Sequence, residues 1–210
     1  MKKILLLTAS FLSAFALMAC TASSVKESDA KHTEKVSQSS SSQEKQKESP
    51  NKLTKVGQKI SDPTFGTVEL AKIAYPNQEV DFGNNVKGLI KVVRLIKVSK
   101  IDETVKSQLQ TQENEGYIIQ ITTDFENQND VTVANLSPVG LVLSNGQQIP
   151  SQYLNSATPQ VFSKATLKDL ITVYYIGKEE TDSVRMLYNY IYSPDNLDLK
   201  FEPVETTVKF

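Results

Sequence analysis

The stretch Tyr117-Ile118-Ile119-Gln120-Ile121-Thr122-Thr123-Asp124-Phe125 constrains this chain more than any other. In an extended backbone successive side chains point to opposite faces, so Tyr117, Ile119, Ile121 and Phe125 share one face. Mostly polar partners fill the other. A helix would scatter the same residues around its circumference. The pattern predicts a half-buried antiparallel strand, stopped by the turn-forming run Asn127-Gln128-Asn129-Asp130.

The flanking sequence repeats the theme. Residues 56–210 are rich in Val, Ile, Thr, Tyr and Phe, with turn residues at short intervals, and are long enough for one sizeable core. Residues 67–75 read as a strand that stops at Pro76-Asn77. Leu141 to Leu143, then Ser144-Asn145-Gly146, then Gln147 to Ile149 give the clearest hairpin signal, because Asn-Gly suits a tight turn requiring positive φ. Residues 170–176 and 184–192 read as two further strands, followed by 197–201 and a tail. Only residues 101–115 lack strand character, and they read as a short helix or a long polar loop.

KGLIKVVRLIKVSK, residues 87–100, admits two readings. As a helix it is basic and amphipathic, of the type that lies on membranes, with Lys87, Lys91, Arg94 and Lys97 at helical spacing. As a strand it places Ile90, Val92, Ile96 and Val98 on one face and Leu89, Val93 and Leu95 on the other. Val and Ile lose rotamer freedom in helices and suit sheets, which favours the strand. Seven or eight short strands with polar turns then predict an all-β sandwich.

YIIQITTDFENQND, followed by LVLSNGQQI and later by LITVYYI, resembles the immunoglobulin-like domains of uncharacterised Gram-positive lipoproteins, spanning roughly residues 66–201. These look similar in fold to the mycobacterial immunoprotective extracellular protein. The resemblance implies an immunoglobulin-like antiparallel β-sandwich of about seven or eight strands over residues 56–210. The family carries no established catalytic residues, so it implies none here.

The chain's single cysteine, Cys20, stands directly behind an apolar run. Lys2 and Lys3 precede that run, which extends from Ile4 to Ala19 and is broken only by Thr8, Ser10 and Ser13. This is the charged and apolar layout of a secretory signal, a little short for a membrane span. Leu17-Met18-Ala19-Cys20 resembles the bacterial lipobox, with an aliphatic residue at −3, a small one at −1 and Cys at +1. The resemblance implies cleavage after residue 19 and a diacylglyceryl group on the Cys20 sulfur, which would anchor the protein to the extracellular face of the cell membrane. Two acyl chains meet the requirement that stable anchoring takes more than one. Loss of Lys2 and Lys3 takes the formal charge from −1 to −3, so electrostatics would not draw the chain onto an anionic membrane.

Residues 20–55 are Ser, Lys, Glu and Gln with almost nothing apolar, a composition that predicts a disordered tether. About 35 flexible residues span roughly 30–35 Å and stretch to about 115 Å. The only histidine, His32, falls in this tether, where a solvated role is expected.

The inventory excludes most chemistry. No basic patch points to nucleic acid. A lone His and a lipidated Cys cannot build a metal cluster, and no cofactor motif appears. Ser-His-Asp catalysis is excluded with His32 in the tether, and a Ser–Lys pair has no recognisable motif. Asp124, Glu126, Asn129 and Asp130 crowd one turn, as do Asp195, Asn196 and Asp198. Neither spacing matches a calcium loop, and turn chemistry explains both.

The expectation is therefore a non-enzymatic binding module engaging an unknown protein or cell-wall ligand. An immunity lipoprotein that intercepts a wall-active or membrane-active toxic peptide is the alternative. Alternation over residues 185–192 puts Met186, Tyr188, Tyr190 and Tyr192 on one face. That row reads as core with hydroxyls at the rim, or as an exposed contact surface, since Tyr gives large contact area with few torsions. The candidate surface is Tyr188, Tyr190 and Tyr192 together with the hairpin at Asn145-Gly146.

Overall fold

A computed structural model describes residues 53–151 and 159–210. The readings for Leu17, Met18, Ala19 and Cys20, and for the tether as far as residue 52, lie outside the described residues. Within them the chain is all-β apart from one short helix. The strands are β1 (Lys59–Asp62), β2 (Gly66–Ala74), β3 (Gln78–Asp81), β4 (Val86–Val98), β5 (Gly116–Asn127), β6 (Val133–Ala134), β7 (Gly140–Leu143), β8 (Gln148–Pro150), β9 (Gln160–Val161), β10 (Ala165–Gly177), β11 (Ser183–Tyr188) and β12 (Val204–Lys209). The helix α1 (Glu103–Leu109) joins β4 to β5. There are more strands than the seven or eight expected, because pieces as short as β6 and β9 leave no periodic signal in the sequence.

Every pairing is antiparallel. The first sheet runs β1-β2-β4-β5-β10, with β3 also on β4; the second runs β12-β11-β7-β8. On the edge of β4 away from β5, its C-terminal half takes β2 and its N-terminal half takes β3. The order β4-β5-β10 facing β12-β11-β7-β8 matches the A-B-E and G-F-C-C′ arrangement of an immunoglobulin-type sandwich, with β1, β2 and β3 added at one edge. A separate ribbon pairs β6 with β9.

The ambiguous segment 87–100 is a strand. Its faces differ from the simple alternation, because a bulge at Lys91 shifts the register between Ile90↔Thr123 and Val92↔Thr122. An extra residue rotates everything after it by one position. Ile90 therefore joins Val93 and Leu95 in the inter-sheet core, while Ile96 and Val98 turn to the outer face.

β5 also departs from expectation. It lies between β4 and β10 in the first sheet, and Ile118 on its supposedly open face is buried. The cover is a second, smaller apolar cluster in which Leu53, Leu70, Ile96, Val98, Ile101, Leu109, Ile118 and Tyr175 pack on the outer side of the sheet. Helix α1 roofs this cluster. Asp102 caps its start, accepting from the Thr104 N–H at 2.9 Å, and Gln110 closes its end in the left-handed region at φ 54°.

The main core lies between the two sheets. Phe82 packs on Phe125 with ring centroids 5.9 Å apart and edge-on against Tyr188 at 5.1 Å. Tyr174 is fully enclosed, and its hydroxyl donates to the Pro138 carbonyl at 2.5 Å. Gly88 sits beneath these rings because a Cβ there would approach Phe82 Cε2 to 3.0 Å and Phe125 Cε1 to 3.3 Å.

Two strand assignments need correction. Residues 197–201 form no strand, and Leu197 is exposed; the strand is β12, in what read as the tail. The strand expected over 184–192 ends at Tyr188. Both partners of β11 run out there: Tyr188 is opposite Val204, the first residue of β12, and Leu187 is opposite Gly140, the first residue of β7.

Candidate binding surface

The end of β11 decides where the tyrosines go. Met186 and Tyr188 keep the inward alternation, and Tyr188 is 1% exposed, its hydroxyl 3.9 Å from Met186 Sδ. Burial raises the Tyr188 phenol well above its usual range, and Tyr174 likewise. Tyr188 is thus a core residue. Beyond it the chain leaves the ladder and the phase inverts: Ile191 and Ser193 are buried, while Tyr190 and Tyr192 are 68% and 42% exposed. The expected single-faced row of Tyr188, Tyr190 and Tyr192 is split between core and surface.

Tyr190 and Tyr192 acquire new partners. Tyr192 forms a two-way backbone bridge with Ala134, at 2.8 and 3.3 Å, and Asn135 Nδ2 donates to the Tyr190 carbonyl at 2.9 Å. Ala134 also pairs with Gln160 of β9. The chain around Tyr192 therefore lies alongside the β6–β9 ribbon. Val133 and Val161 point inward from this ribbon, and two residues beyond Gln160 the outward side carries Phe162, 68% exposed. Leu197 is exposed in the following turn, which Asp195 pins by accepting the Thr132 N–H at 2.8 Å. That bond holds the Asp195 carboxyl below the usual carboxylate range. The outcome is four exposed apolar side chains, Tyr190, Tyr192, Phe162 and Leu197, around the β6–β9 ribbon and the turn after it.

The hairpin is at the other end. Leu143, next to its turn, pairs with Val184 near the start of β11, whereas the tyrosines follow the end of β11. The length of that strand alone separates them by roughly 17 Å. The structure therefore does not bring Asn145 and Gly146 together with the tyrosines. The turn itself forms where the sequence places it. Gly146 N–H donates to the Leu143 carbonyl at 2.9 Å and Leu143 N–H to the Gln147 carbonyl at 2.9 Å, with Gly146 alone at positive φ (84°). This is a three-residue loop over Ser144-Asn145-Gly146, a type I turn closed by a left-handed glycine.

The acidic clusters are held by local bonds. Asp124 lies on the outer face of the first sheet, paired with Lys91 at 3.2 Å and accepting the Asp169 N–H at 2.7 Å. Glu126 accepts from Gln128 Nε2, Asn129 N–H donates to Asn127 Oδ1, and Asp130 faces Lys164 at 3.2 Å. Asn196 Oδ1 accepts the Asp198 N–H. Among the described residues no three His, Cys, Asp or Glu side chains gather as a metal-binding group. A shallow depression of about 150 Å³ between Asn127 and Lys164 is smaller than the few hundred Å³ typical of small-molecule sites. No helix among the described residues is long and apolar enough to cross a membrane.

Sequence reasoning missed Phe162 and Leu197. A signal for the first was present: Val161 and Phe162 are adjacent, and in extended chain adjacent residues face opposite ways, so one of the two faces water unless both sides are covered.

No family model matches the chain, and no curated protein matches it. Among solved structures it is similar to one described as "X-ray structure of Northeast Structural Genomics Consortium target SoR45", at 14% identity over 61% of this chain and 86% of that one, with a TM-score of 0.33.

Proposed function

We propose that the protein is a non-enzymatic binding module, anchored on the extracellular face of the cell membrane through a diacylglyceryl group on Cys20, and that it engages a protein partner through Tyr190, Tyr192, Phe162 and Leu197. One observation carries the reading. Leu53 packs with Val98, Ile118 and Tyr175 at the end that also holds Gly116 and the hairpin. The exposed aromatic residues occupy the opposite end. Exposed Tyr and Phe on a backbone held by the Tyr192–Ala134 bridge and by side-chain bonds from Asn135 and Asn127 give contact area at low ordering cost.

The test is crosslinking on intact cells carrying a photoreactive residue at Tyr190 or, as a control, at Asn145. A recurrent protein adduct from position 190 and none from 145 is expected, with loss of the adduct when Phe162→Ser is added. Wall glycan fragments alone would replace the protein partner with a glycan. Equal labelling from both positions, or none from either, would sink the reading.

A further inference from the structure

The outer face of the first sheet carries a cation that has no ion-pair partner among the described residues. Arg94 lies midway along β4, level with Ile73 on β2 and Gln120 on β5. Its Nη1 donates to Gln120 Oε1 at 3.1 Å, and among the described residues it makes no ion pair. A guanidinium offers five N–H donors in a planar fork that matches a carboxylate, and this neutral partner engages one of its nitrogens. The side chain is half-buried. Burial lowers its pKa, and the Tyr75 phenol, rather than a carboxylate, is what opposes that shift.

Other partly covered cations of this fold are supplied with carboxylates. Lys91, on the same face, is held by Asp169 at 2.7 Å and Asp124 at 3.2 Å. Lys72 has Asp182 at 2.7 Å and Glu180 at 3.4 Å. Lys106, nearly fully covered, has Glu103 at 2.6 Å. Arg94 departs from that pattern. Beside it the next level holds Val92 on β4, the buried Thr122 on β5 and Ile171 on β10, and Tyr75 follows the end of β2. Tyr75 and Ile171 are 58% and 37% exposed.

We propose that Arg94, with Gln120 orienting its guanidinium, is the anion-recognition group of a second binding site on this face, which takes a peptide carboxylate flanked by an apolar side chain. The free donors of the fork bind the carboxylate side-on. Tyr75, Val92 and Ile171 receive the neighbouring apolar group. Two sources share that chemistry, a chain terminus and an acidic side chain, and three probes separate them.

Fluorescence anisotropy on the full lipidated chain in detergent micelles would use fluorescein-labelled Gly-Ala-Ala-Leu with a free C-terminal carboxylate, the same peptide as its amide, and Gly-Ala-Glu-Leu amide. At least one acid-bearing probe is expected to bind, with the plain amide at least about tenfold weaker, a difference the loss of one charge-assisted contact commonly produces. Binding of the first probe alone assigns a chain terminus, and of the third alone a side chain. Arg94→Gln removes the binding. Arg94→Lys, which keeps the charge and loses the fork, weakens it about tenfold and decides the matter if the Gln variant fails to fold. Tyr190→Ser leaves these affinities unchanged, so failure here and failure of the aromatic surface are read separately. Absence of binding by either acid probe up to about 1 mM, equal binding of acid and amide, or affinity unmoved in both Arg94 variants would overturn the proposal.

Discussion

The sandwich buries two apolar regions of unlike construction. The inter-sheet core is walled on both sides by hydrogen-bonded sheet and draws on residues as distant in sequence as Val80 and Val208. The outer cluster has sheet beneath it, while α1, Leu53 and the neighbouring loop make its roof. A seven-residue helix is too short to persist in water unaided. The roof therefore exists because Leu109 and Ile101 are buried, and the sheet below does not need it to stay paired. Local opening costs less there than in the core, where removing one wall removes the sandwich.

Substitution separates the two regions. Tyr188→Ala removes a fully buried ring that contacts Phe82 and is expected to cost about 3–5 kcal/mol, lowering Tm by roughly 10 °C in thermal denaturation. Leu109→Ala is expected to cost about 2 kcal/mol, since the roof can settle into the space, and to speed amide exchange in α1 while β5 stays protected. Equal acceleration in α1 and β5 would show one cooperative unit and end the distinction.

Alkaline titration probes the core more than the roof. Tyr174 and Tyr188 are raised by burial, and Tyr117 is pushed up to about 12 by burial and by its hydrogen bond to Glu180. Unfolded tyrosines release their protons near pH 10, while the folded ones hold theirs. Above about pH 10 the unfolded state binds fewer protons than the native state, so stability falls as pH rises and is intact below that value. Urea midpoints measured across pH 9–12 should fall, and Tyr117→Phe should lessen the fall. Midpoints flat over that range would contradict the burial of these hydroxyls.

The smallest effect is expected at the helix cap. Asp102 is exposed, and its bonds to Thr104 hold its carboxyl below the usual range. Its contribution is present above the ordinary carboxylate pKa and is lost as pH falls through the lowered value. Asp102→Ala should speed exchange at the start of α1 with little change in global Tm. A large drop in Tm would mean that the roof supports the whole fold.

Periodicity announced β5 and the second half of β10, because their pairing is continuous from Leu170↔Thr123 to Tyr175↔Ile118. It failed where pairing partners end or slip. Nothing in Tyr188-Asn189-Tyr190 tells that β7 and β12 have no more residues to offer, so the tyrosine row was drawn past the end of its ladder. Nothing in Ile90-Lys91-Val92 tells that Lys91 is unpaired, and one such residue exchanges the faces of all that follow. Leu197, Leu199 and Phe201 alternate like a strand yet pair with no strand among the described residues. The aromatic surface was half legible: Tyr190 and Tyr192 stood out, but their nearness to Phe162 depends on the ribbon of β6 and β9, whose two-residue strands no window can resolve.

The placement of the Asn145-Gly146 turn also bears on how the protein can be modified. Residues 144–148 are all exposed, the loop is closed by its own backbone bonds, and the side-chain link from Asn145 Nδ2 to Glu179 at 3.1 Å crosses to a surface turn. Exposed polar loop tips of this kind are where inserted sequence is best tolerated. An epitope or fluorescent module spliced between Asn145 and Gly146 would leave the ladders of β7 and β8 in register. It would also project from the end of the sandwich remote from Tyr190 and Phe162, so the protein could be labelled without masking its aromatic end.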